Sequence, residues 1–549
     1  MAELIHENER RPLVLGRSLF EVADELALTV PASCRRTGRC RECVVQVTEG
    51  VEALNPRTEA EAFLPPGFRL ACQATVARDD RDVRFAILRR RLRILMPSEP
   101  EAEPAVELDP VVTREGASVL YAGEPFGLAV GRLLGLAIDV GTTTVVFELV
   151  DLESGRSLHA GAFENPQRFG GSDVMSRIAY ETEHPGELRR AFRRVLNREL
   201  EATYRSLGLD RHAVYEAIVV GNPTMRDLFF GLDVGPLGHS PFRSLSEVAV
   251  REGRAATSGL VRRAHELGLL IHPQGRVVGV PLVACHVGAD TAADLMATEF
   301  AAQPGVSLLI DIGTNTEIVI GDGKRIVAAS SPAGPAFEGG GISHGMAGAD
   351  GAIESVRWVD GAFAWRTIGD LPPQGICGSG LVDLLAEASR VGLLLSDTSF
   401  AGRRRTIDVV PDRGIELSRA DVSNLAQAKA ANAVGQLILM RRLGVTPEQV
   451  DRVFLAGAFA NALDVRNAVA IGLLAPVPIE RVRRVGNASV RGAKAILLSA
   501  RRRRELESVI AGIEHAELES EPDFFELFVE GCRFDRGQKA TGGPPPPVL

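Results

Sequence analysis

An apolar strand that ends in Asp-x-Gly-Thr occurs twice in this chain. Leu136-Ala137-Ile138-Asp139-Val140-Gly141-Thr142-Thr143-Thr144 returns as Leu308-Leu309-Ile310-Asp311-Ile312-Gly313-Thr314-Asn315-Thr316. Each copy runs on into a second apolar strand, at 145–150 and 318–320. A single Asp-Gly turn is common in hairpins. Two in matching contexts, too far apart for a solenoid period, predict a duplicated α/β domain with two related halves. The turn also implies a chemistry. Gly and a small Thr let backbone N–H and hydroxyl groups close on a polyphosphate. An Asp at the strand end can hold Mg2+, usually through water. No G-x4-G-K-[ST] run is present, which excludes a P-loop ATPase.

Four of the seven cysteines, Cys34, Cys40, Cys43 and Cys72, lie near the N-terminus with the spacing C-x5-C-x2-C-x28-C. Thiolates bind iron or zinc. A structural zinc ribbon usually has two symmetric C-x-x-C knuckles. Here three cysteines crowd one loop and the fourth arrives singly from a later segment, the arrangement that wraps a [2Fe–2S] cluster. The spacing therefore favours [2Fe–2S] over zinc, with one residue more in the loop than the plant-type pattern. Arg35, Arg36, Arg39 and Arg41 share the loop, as solvated side chains or as a surface for an acidic redox partner. Cys285, Cys377 and Cys532 are scattered, and Cys377, in a Gly turn before an apolar helix, reads as a small core residue.

The remaining composition limits the function classes. A formal charge of −9 gives no basic footprint, so no nucleic-acid partner is expected. No run of 18 apolar residues predicts a membrane span, and residues 1–11 lack the apolar core of a secretory signal. The chain is expected to be cytoplasmic, where seven Cys are not a disulfide framework. Residues 1–90 read as a small α+β unit. A strand is expected at 13–15, a capping box at Ser18 and Glu21 opens a helix, and further strands follow at 44–47 and 85–88. The stretch 91–132, with its Pro- and Glu-rich core at 97–110, reads as a linker. Residues 133–541 have α/β texture, in halves of about 133–305 and 306–541. Residues 542–549 read as a disordered tail.

The two Asp-x-Gly-Thr turns resemble the phosphate motifs of the acetate and sugar kinase/Hsp70/actin superfamily. The apolar strand entering the small-residue turn at 453–459 looks like that superfamily's adenosine motif. The resemblance implies ATP with Mg2+ in the cleft between the halves. On it, Asp139 and Asp311 face the Mg2+–phosphate group, and Gly141, Thr142, Thr143, Gly313, Thr314 and Asn315 line the phosphates. Gly457 and Ala458 admit the nucleoside, and Glu317 and Asp290 are candidates to position the attacking water.

Both modules together resemble the reductive activators of corrinoid proteins, ATP-dependent proteins with an N-terminal [2Fe–2S] domain that rescue inactive Co(II) corrinoid. The likeness continues through Asn165-Pro166-Gln167, Gly171-Ser172-Asp173-Val174-Met175-Ser176-Arg177, Val220-Gly221-Asn222-Pro223-Thr224-Met225 and Val287-Gly288-Ala289-Asp290. It extends to Ala333-Gly334-Pro335-Ala336-Phe337-Glu338-Gly339, Ile376-Cys377-Gly378-Ser379-Gly380 and Val485-Gly486-Asn487-Ala488. It implies a β-grasp ferredoxin-like domain followed by an actin-like ATPase of duplicated ribonuclease-H-like halves. It also implies one-electron reduction of Co(II) to Co(I), a corrinoid protein of a methyltransferase system as partner and an external low-potential electron donor; it admits a homodimer. The stretch 90–132 is too short for the middle domain that longer members carry before the first phosphate loop, so that domain is expected to be missing. Competing readings are an activator of another low-potential reductase, a small-molecule kinase with a fused ferredoxin domain, and a ferredoxin carrier with an ATPase docking platform.

Overall fold

The computed structural model describes residues 2–6, 9–26, 28, 30, 36–38, 43–87, 108–457 and 460–534. These fall into two compact units, one drawn from 1–94, 104–293 and 493–504, the other from 294–492 and 505–549. Among the described residues no helix is long and apolar enough to cross a membrane.

The first unit opens with strands β1 (Glu3–His6), β2 (Glu9–Pro12), β3 (Val44–Glu49), β4 (Phe68–Leu70) and β5 (Val83–Ile87), in the sheet order β2-β1-β5-β3-β4. β1 and β5 are parallel and the other pairs antiparallel, as in a β-grasp. The helix Leu19–Glu25 buries Leu19, Phe20, Val22 and Ala23, and Ser18 and Glu21 form the expected capping box. Residues 13–15 are not a strand. Leu13 is buried, but Val14 and Leu15 are exposed beside the Gly16 turn (φ +79°), and the polar segment Glu9–Pro12 pairs instead with Glu3–His6, whose Leu4 and Ile5 are buried. Backbone pairing outweighs local apolarity there.

Part of the expected linker is structured. β6 (Val112–Glu115), β7 (Ser118–Tyr121) and β8 (Glu124–Leu128) form an antiparallel sheet turned at Gly116 and Gly123, both at positive φ. Val112 and Val119 are buried, enough apolar surface to fix so short a sheet. Residues 88–107 lie outside the described residues.

β9 (Leu134–Val140), β10 (Thr144–Asp151), β11 (Ser157–Glu164), β12 (Val214–Val220), β13 (Leu260–Arg263) and β14 (Arg276–Gly279) form the main sheet of this unit, ordered β11-β10-β9-β12-β14-β13. β9, β10 and β11 are antiparallel; β12 and β14 run parallel to β9. β12 is buried along its whole length and accordingly reads Val-Tyr-Glu-Ala-Ile-Val-Val, nearly all apolar. Its one charge, Glu216, is fully buried. Arg503 donates to both its oxygens at 3.1 and 3.0 Å, and the Tyr121 hydroxyl donates to one at 2.9 Å. Burial, with the Glu216 charge beside it, pushes the Tyr121 phenol well up.

The second unit repeats the plan. β15 (Ser307–Ile312), β16 (Thr316–Gly321) and β17 (Ile326–Ser331) are antiparallel. A side sheet of β18 (Ala352–Val359), β19 (Ala362–Thr367) and β20 (Gly375–Ile376) follows, then a hairpin of β21 (Thr406–Val410) and β22 (Ile415–Ser418). β23 (Arg452–Ala456), β24 (Val482–Gly486) and β25 (Ile513–His515) complete the order β24-β23-β15-β16-β17-β25. β15 and β23 are parallel, as are β23 and β24. β15, β16, β17, β23 and β24 thus match β9, β10, β11, β12 and β14 in order and direction, which is the duplication the sequence implied. The helix Arg419–Leu443 lies on β16 and β17. Gly435 lets it approach, since a Cβ there would stand 2.5 Å from Ile318.

Replacing Glu216 by Gln leaves the half-buried Arg503 without its counter-charge. The expected loss is about 1.5–3 kcal/mol, read as a lower unfolding midpoint of the full-length protein; an unchanged midpoint would show that the network holds nothing.

Candidate functional site

In the first unit the turn from β9 to β10 has its peptides sorted to two sides. Its three carbonyls are all drawn toward one segment. Gly141 O accepts from Asn165 Nδ2 (2.8 Å), Thr142 O from Arg177 Nη2 (2.7 Å) and Thr143 O from the Asn165 backbone N–H (2.7 Å). A trans peptide points its N–H opposite to its carbonyl. The N–H groups of Thr142 and Thr143 therefore face away from segment 165–177, as a nest for an anion requires. Gly141 is obligatory, because a Cβ would lie 2.4 Å from the Thr144 carbonyl oxygen. Asn222 caps the helix Pro223–Phe230 by accepting from the Met225 N–H (3.0 Å), which fixes its amide, and Nδ2 donates to Thr142 Oγ1 (2.9 Å). The Thr142 hydroxyl keeps its own hydrogen to donate.

Asp139 closes β9 beside this turn, paired with Val146. Asp290 is in the same neighbourhood. It starts the helix Ala289–Ala297, with Oδ1 accepting from the Thr291 N–H (2.8 Å), and the Ala289 N–H donates to Gly221 O (3.0 Å). Gly288 lets that helix start abut Asn222, whose Cα would be 2.6 Å from a Cβ at 288.

In the second unit the equivalent turn is braced differently. Thr314 Oγ1 donates to Glu338 Oε2 (2.7 Å), so the equivalent hydroxyl spends its hydrogen on the protein and presents lone pairs. Gly313 N–H donates to Asn315 O (3.1 Å). Burial pushes the Asp311 carboxyl up to about 6; a hydrogen bond with Asp294 opposes the rise and the Glu338 charge adds to it. Asp294 is fully buried, and Ser489 donates to it at 2.9 Å. Glu317 faces Asp311 across the β15–β16 pair and accepts from Ser330 (3.1 Å). Gly457 (φ +107°) presses on the end of β15, where a Cβ would lie 2.3 Å from Ile312 O and 3.1 Å from Asp311 Oδ1. Its N–H donates to Gly486 O (3.1 Å). Ala458 lies outside the described residues.

These carboxylates suit a hydrated Mg2+. That ion keeps several waters and takes only one or two protein carboxylates beside substrate phosphates. Among the described residues, no cluster of three or more His, Cys, Asp or Glu side chains forms a ready metal cage. A nearby cation would relieve the desolvation that Asp311 suffers.

Two of the four thiols, Cys43 and Cys72, are described; Cys34 and Cys40 lie outside the described residues, as do Arg35, Arg39 and Arg41. Cys43 Sγ and Cys72 Sγ are 3.3 Å apart. A disulfide would need about 2.05 Å, while two thiolates on one tetrahedral metal with bonds of about 2.3 Å stand about 3.8 Å apart. The pair fits shared metal ligation. The Cys43 thiol lowers Cys72 to about 6, with further help from the Gln73 amide and the Gly38 N–H. Arg36 is occupied within its own domain: it pairs with Asp24 and stacks 4.2 Å over the Phe20 ring. Cys377 is buried at the start of the helix Gly378–Arg390, its Sγ 3.3 Å from Ile353 O, and burial raises its thiol.

Sequence reasoning missed the bracing residues. Asn165, Arg177, Asn222 and Glu338 stood in quoted motifs without a role. Asp294 and Ser489 carried no signal, since only the fold brings them to Asp311.

Three family models match the chain: a 2Fe-2S iron-sulfur cluster binding domain at 7–77, the RACo middle region at 134–303, and the C-terminal domain of RACo, the ASKHA domain, at 305–541. The chain is 32% identical over 429 residues to the corrinoid activation enzyme RamQ of Eubacterium limosum, covering 73% of this chain and 70% of that one. It is 26% identical over 395 residues to the [Co(II) methylated amine-specific corrinoid protein] reductase of Methanosarcina barkeri, covering 67% and 71%. A solved reductive activator for corrinoid, iron-sulfur protein superposes with a TM-score of 0.69 at 27% identity, covering 98% of this chain and 99% of that one. The expectation of a missing middle domain is overturned. The matched middle region is residues 134–303, the half that carries the first phosphate loop.

In cluster-free full-length protein, the depressed Cys72 thiol is thiolate above about pH 6 and protonated below it. Its alkylation rate should rise through a midpoint near 6, with buried Cys377 unreactive across the range. Mass-spectrometric mapping of labelled peptides checks this; a Cys72 midpoint near the ordinary value of about 8.5 would contradict the geometry.

Proposed function

The chain belongs to the RACo family, and on that premise we propose that it reductively activates a corrinoid protein, converting Co(II) to Co(I) by one electron at the expense of ATP hydrolysis. The observation that carries the reading is that a paired-thiol site and an anion-ready Asp-x-Gly-Thr loop lie in one compact unit, Cys72 with Cys43 and Asp139 with Thr142. A kinase has no use for the first, and a ferredoxin has none for the second.

On this reading residues 1–90 are the electron-transfer domain and 133–541 the ATPase. A [2Fe–2S] group on Cys34, Cys40, Cys43 and Cys72 supplies one-electron transfer near about −400 mV. In the first unit, the N–H groups of Thr142 and Thr143 and the free hydrogen of the Thr142 hydroxyl bind phosphate oxygens. Asp290 is the candidate there to orient the attacking water. In the second unit, Asp311 and the lone pairs of Thr314 would hold a Mg2+ ion, which would supply charge neutralisation to the phosphates. Glu317, held by Ser330, is the water-orienting candidate on that side. Gly457 keeps the end of β15 open to the nucleoside.

The partner is a corrinoid protein of a methyltransferase system. The electron comes from an external low-potential donor in the cytoplasm. Where the cobalt couple lies below the donor, each ~59 mV of deficit is a tenfold unfavourable factor. Protein binding offsets it only by a difference in affinity between the Co(II) and Co(I) states of the partner.

Under anaerobic conditions, with a cognate Co(II) corrinoid protein and a low-potential reductant, the visible spectrum of Co(I) should appear with ATP and not without it. Gly141→Ala and Asp139→Ala should each remove the ATP dependence while leaving the cluster spectrum intact, and Cys43→Ser should remove the electron transfer. Co(I) that forms equally well without nucleotide would overturn the reading.

A further inference from the structure

The same segment that holds the first phosphate loop also holds the ferredoxin-like domain. Arg177, fully buried, reaches from the helix Val174–Glu183 to the carbonyls of Thr142 (2.7 Å) and Gly171 (3.0 Å). One turn further along that helix is Tyr180, whose hydroxyl donates to the backbone carbonyl of Phe63 in the ferredoxin-like domain. The Phe63 ring meets Phe169 edge-on at 6.1 Å, and Phe169 meets Tyr180 edge-on at 5.5 Å. Phe169 belongs to the short turn Pro166–Gly170, directly after Asn165, which holds the carbonyls of Gly141 and Thr143. Gly170 makes room for the stack, since a Cβ there would sit 2.6 Å from Leu188 and 3.0 Å from the Tyr180 ring. The apolar core of the unit runs unbroken through these rings.

On the far side, Phe63 is coupled to a cluster ligand. Two residues before it, Glu61 is fully buried, pairs with Arg69 (2.7 Å) and accepts from the Leu70 N–H (2.9 Å). Cys72 follows Leu70 by two residues, and Ala71 N–H donates to Cys43 O (2.7 Å). Segment 59–72 is thereby tied to the Cys43–Cys72 pair by an ion pair and backbone hydrogen bonds. The Tyr180 hydrogen bond and the edge of Phe63 on Phe169 join it to segment 165–180, the kind of junction that can switch between two arrangements.

We infer that Tyr180 is a positioning residue: the occupancy of the first phosphate loop, felt through Asn165 and Arg177, is passed by Tyr180 to Phe63 and sets the placement of the cluster-bearing segment 59–72. The inference deepens the activator reading and rests on it. It gives that reading a physical route by which nucleotide and electron-transfer site exchange free energy, and the exchange is reciprocal.

The test is hydrogen exchange by mass spectrometry on cluster-loaded full-length protein, with and without Mg2+ and a non-hydrolysable ATP analogue, for wild type, Tyr180→Phe and Gly170→Ala. In wild type, nucleotide should change exchange both at 139–144 and at 59–72, the latter by about threefold or more. In Tyr180→Phe, which removes one hydroxyl and leaves the core filled, the response at 139–144 should persist and that at 59–72 should vanish. Gly170→Ala, which displaces the ring, should do the same. A response at 59–72 that survives in both variants, or is absent from wild type while 139–144 responds, would overturn the inference. Neither result bears on whether ATP drives cobalt reduction, which the Co(I) spectrum reports separately.

Discussion

Everything in the first unit's site depends on three carbonyl groups being pulled to one side of a turn. Gly141, Thr142 and Thr143 would otherwise present a mixture of donors and acceptors to any ligand. Asn165 and Arg177 take the acceptors, leaving the donors for the front. A buried arginine is costly unless its donors are satisfied. Arg177 meets that condition through carbonyl oxygens of two turns, so it fixes one turn relative to the other as well as orienting peptides.

The two halves share a topology and not a bracing scheme. Equivalent threonines, Thr142 and Thr314, receive a donor in one case and an acceptor in the other. The duplicated strands set the turn, and the residues packed behind it decide what it offers: hydrogen in the first unit, lone pairs beside the raised Asp311 carboxyl in the second.

The duplicated fold was legible in the sequence because strand apolarity and an Asp-Gly turn are local signals, and both reappear in β9–β10 and β15–β16, with the pairing one residue out of step: Asp139 faces Val146 and Asp311 faces Glu317. The capping box at Ser18 was legible for the same reason. The polar edge strand was not: β2 reads Glu-Arg-Arg-Pro and gives no apolar alternation. The sheet at 112–128 was masked by its proximity to a Pro- and Glu-rich stretch. Its anchor, Tyr121 on Glu216 and Arg503, is made by residues far apart in the chain. Likewise the motifs around Asn165, Asn222 and Glu338 were visible as Gly-rich turns, but their shared task, holding two loops, exists only after folding. Cys34, Cys40 and Ala458 rest on sequence alone.

The central claim is that this chain trades nucleotide binding for a better-placed electron, and that trade demands unequal affinity for two states of one partner. The direct measurement is calorimetric titration of the full-length activator, with bound ATP analogue, against the cognate corrinoid protein held as Co(II) and then as Co(I). Because binding raises the cobalt potential only by holding the reduced state more tightly, the account predicts tighter binding of the Co(I) state by at least about tenfold, roughly 1.4 kcal/mol. Equal affinities would contradict it, because a partner bound equally in both states gains no driving force from binding.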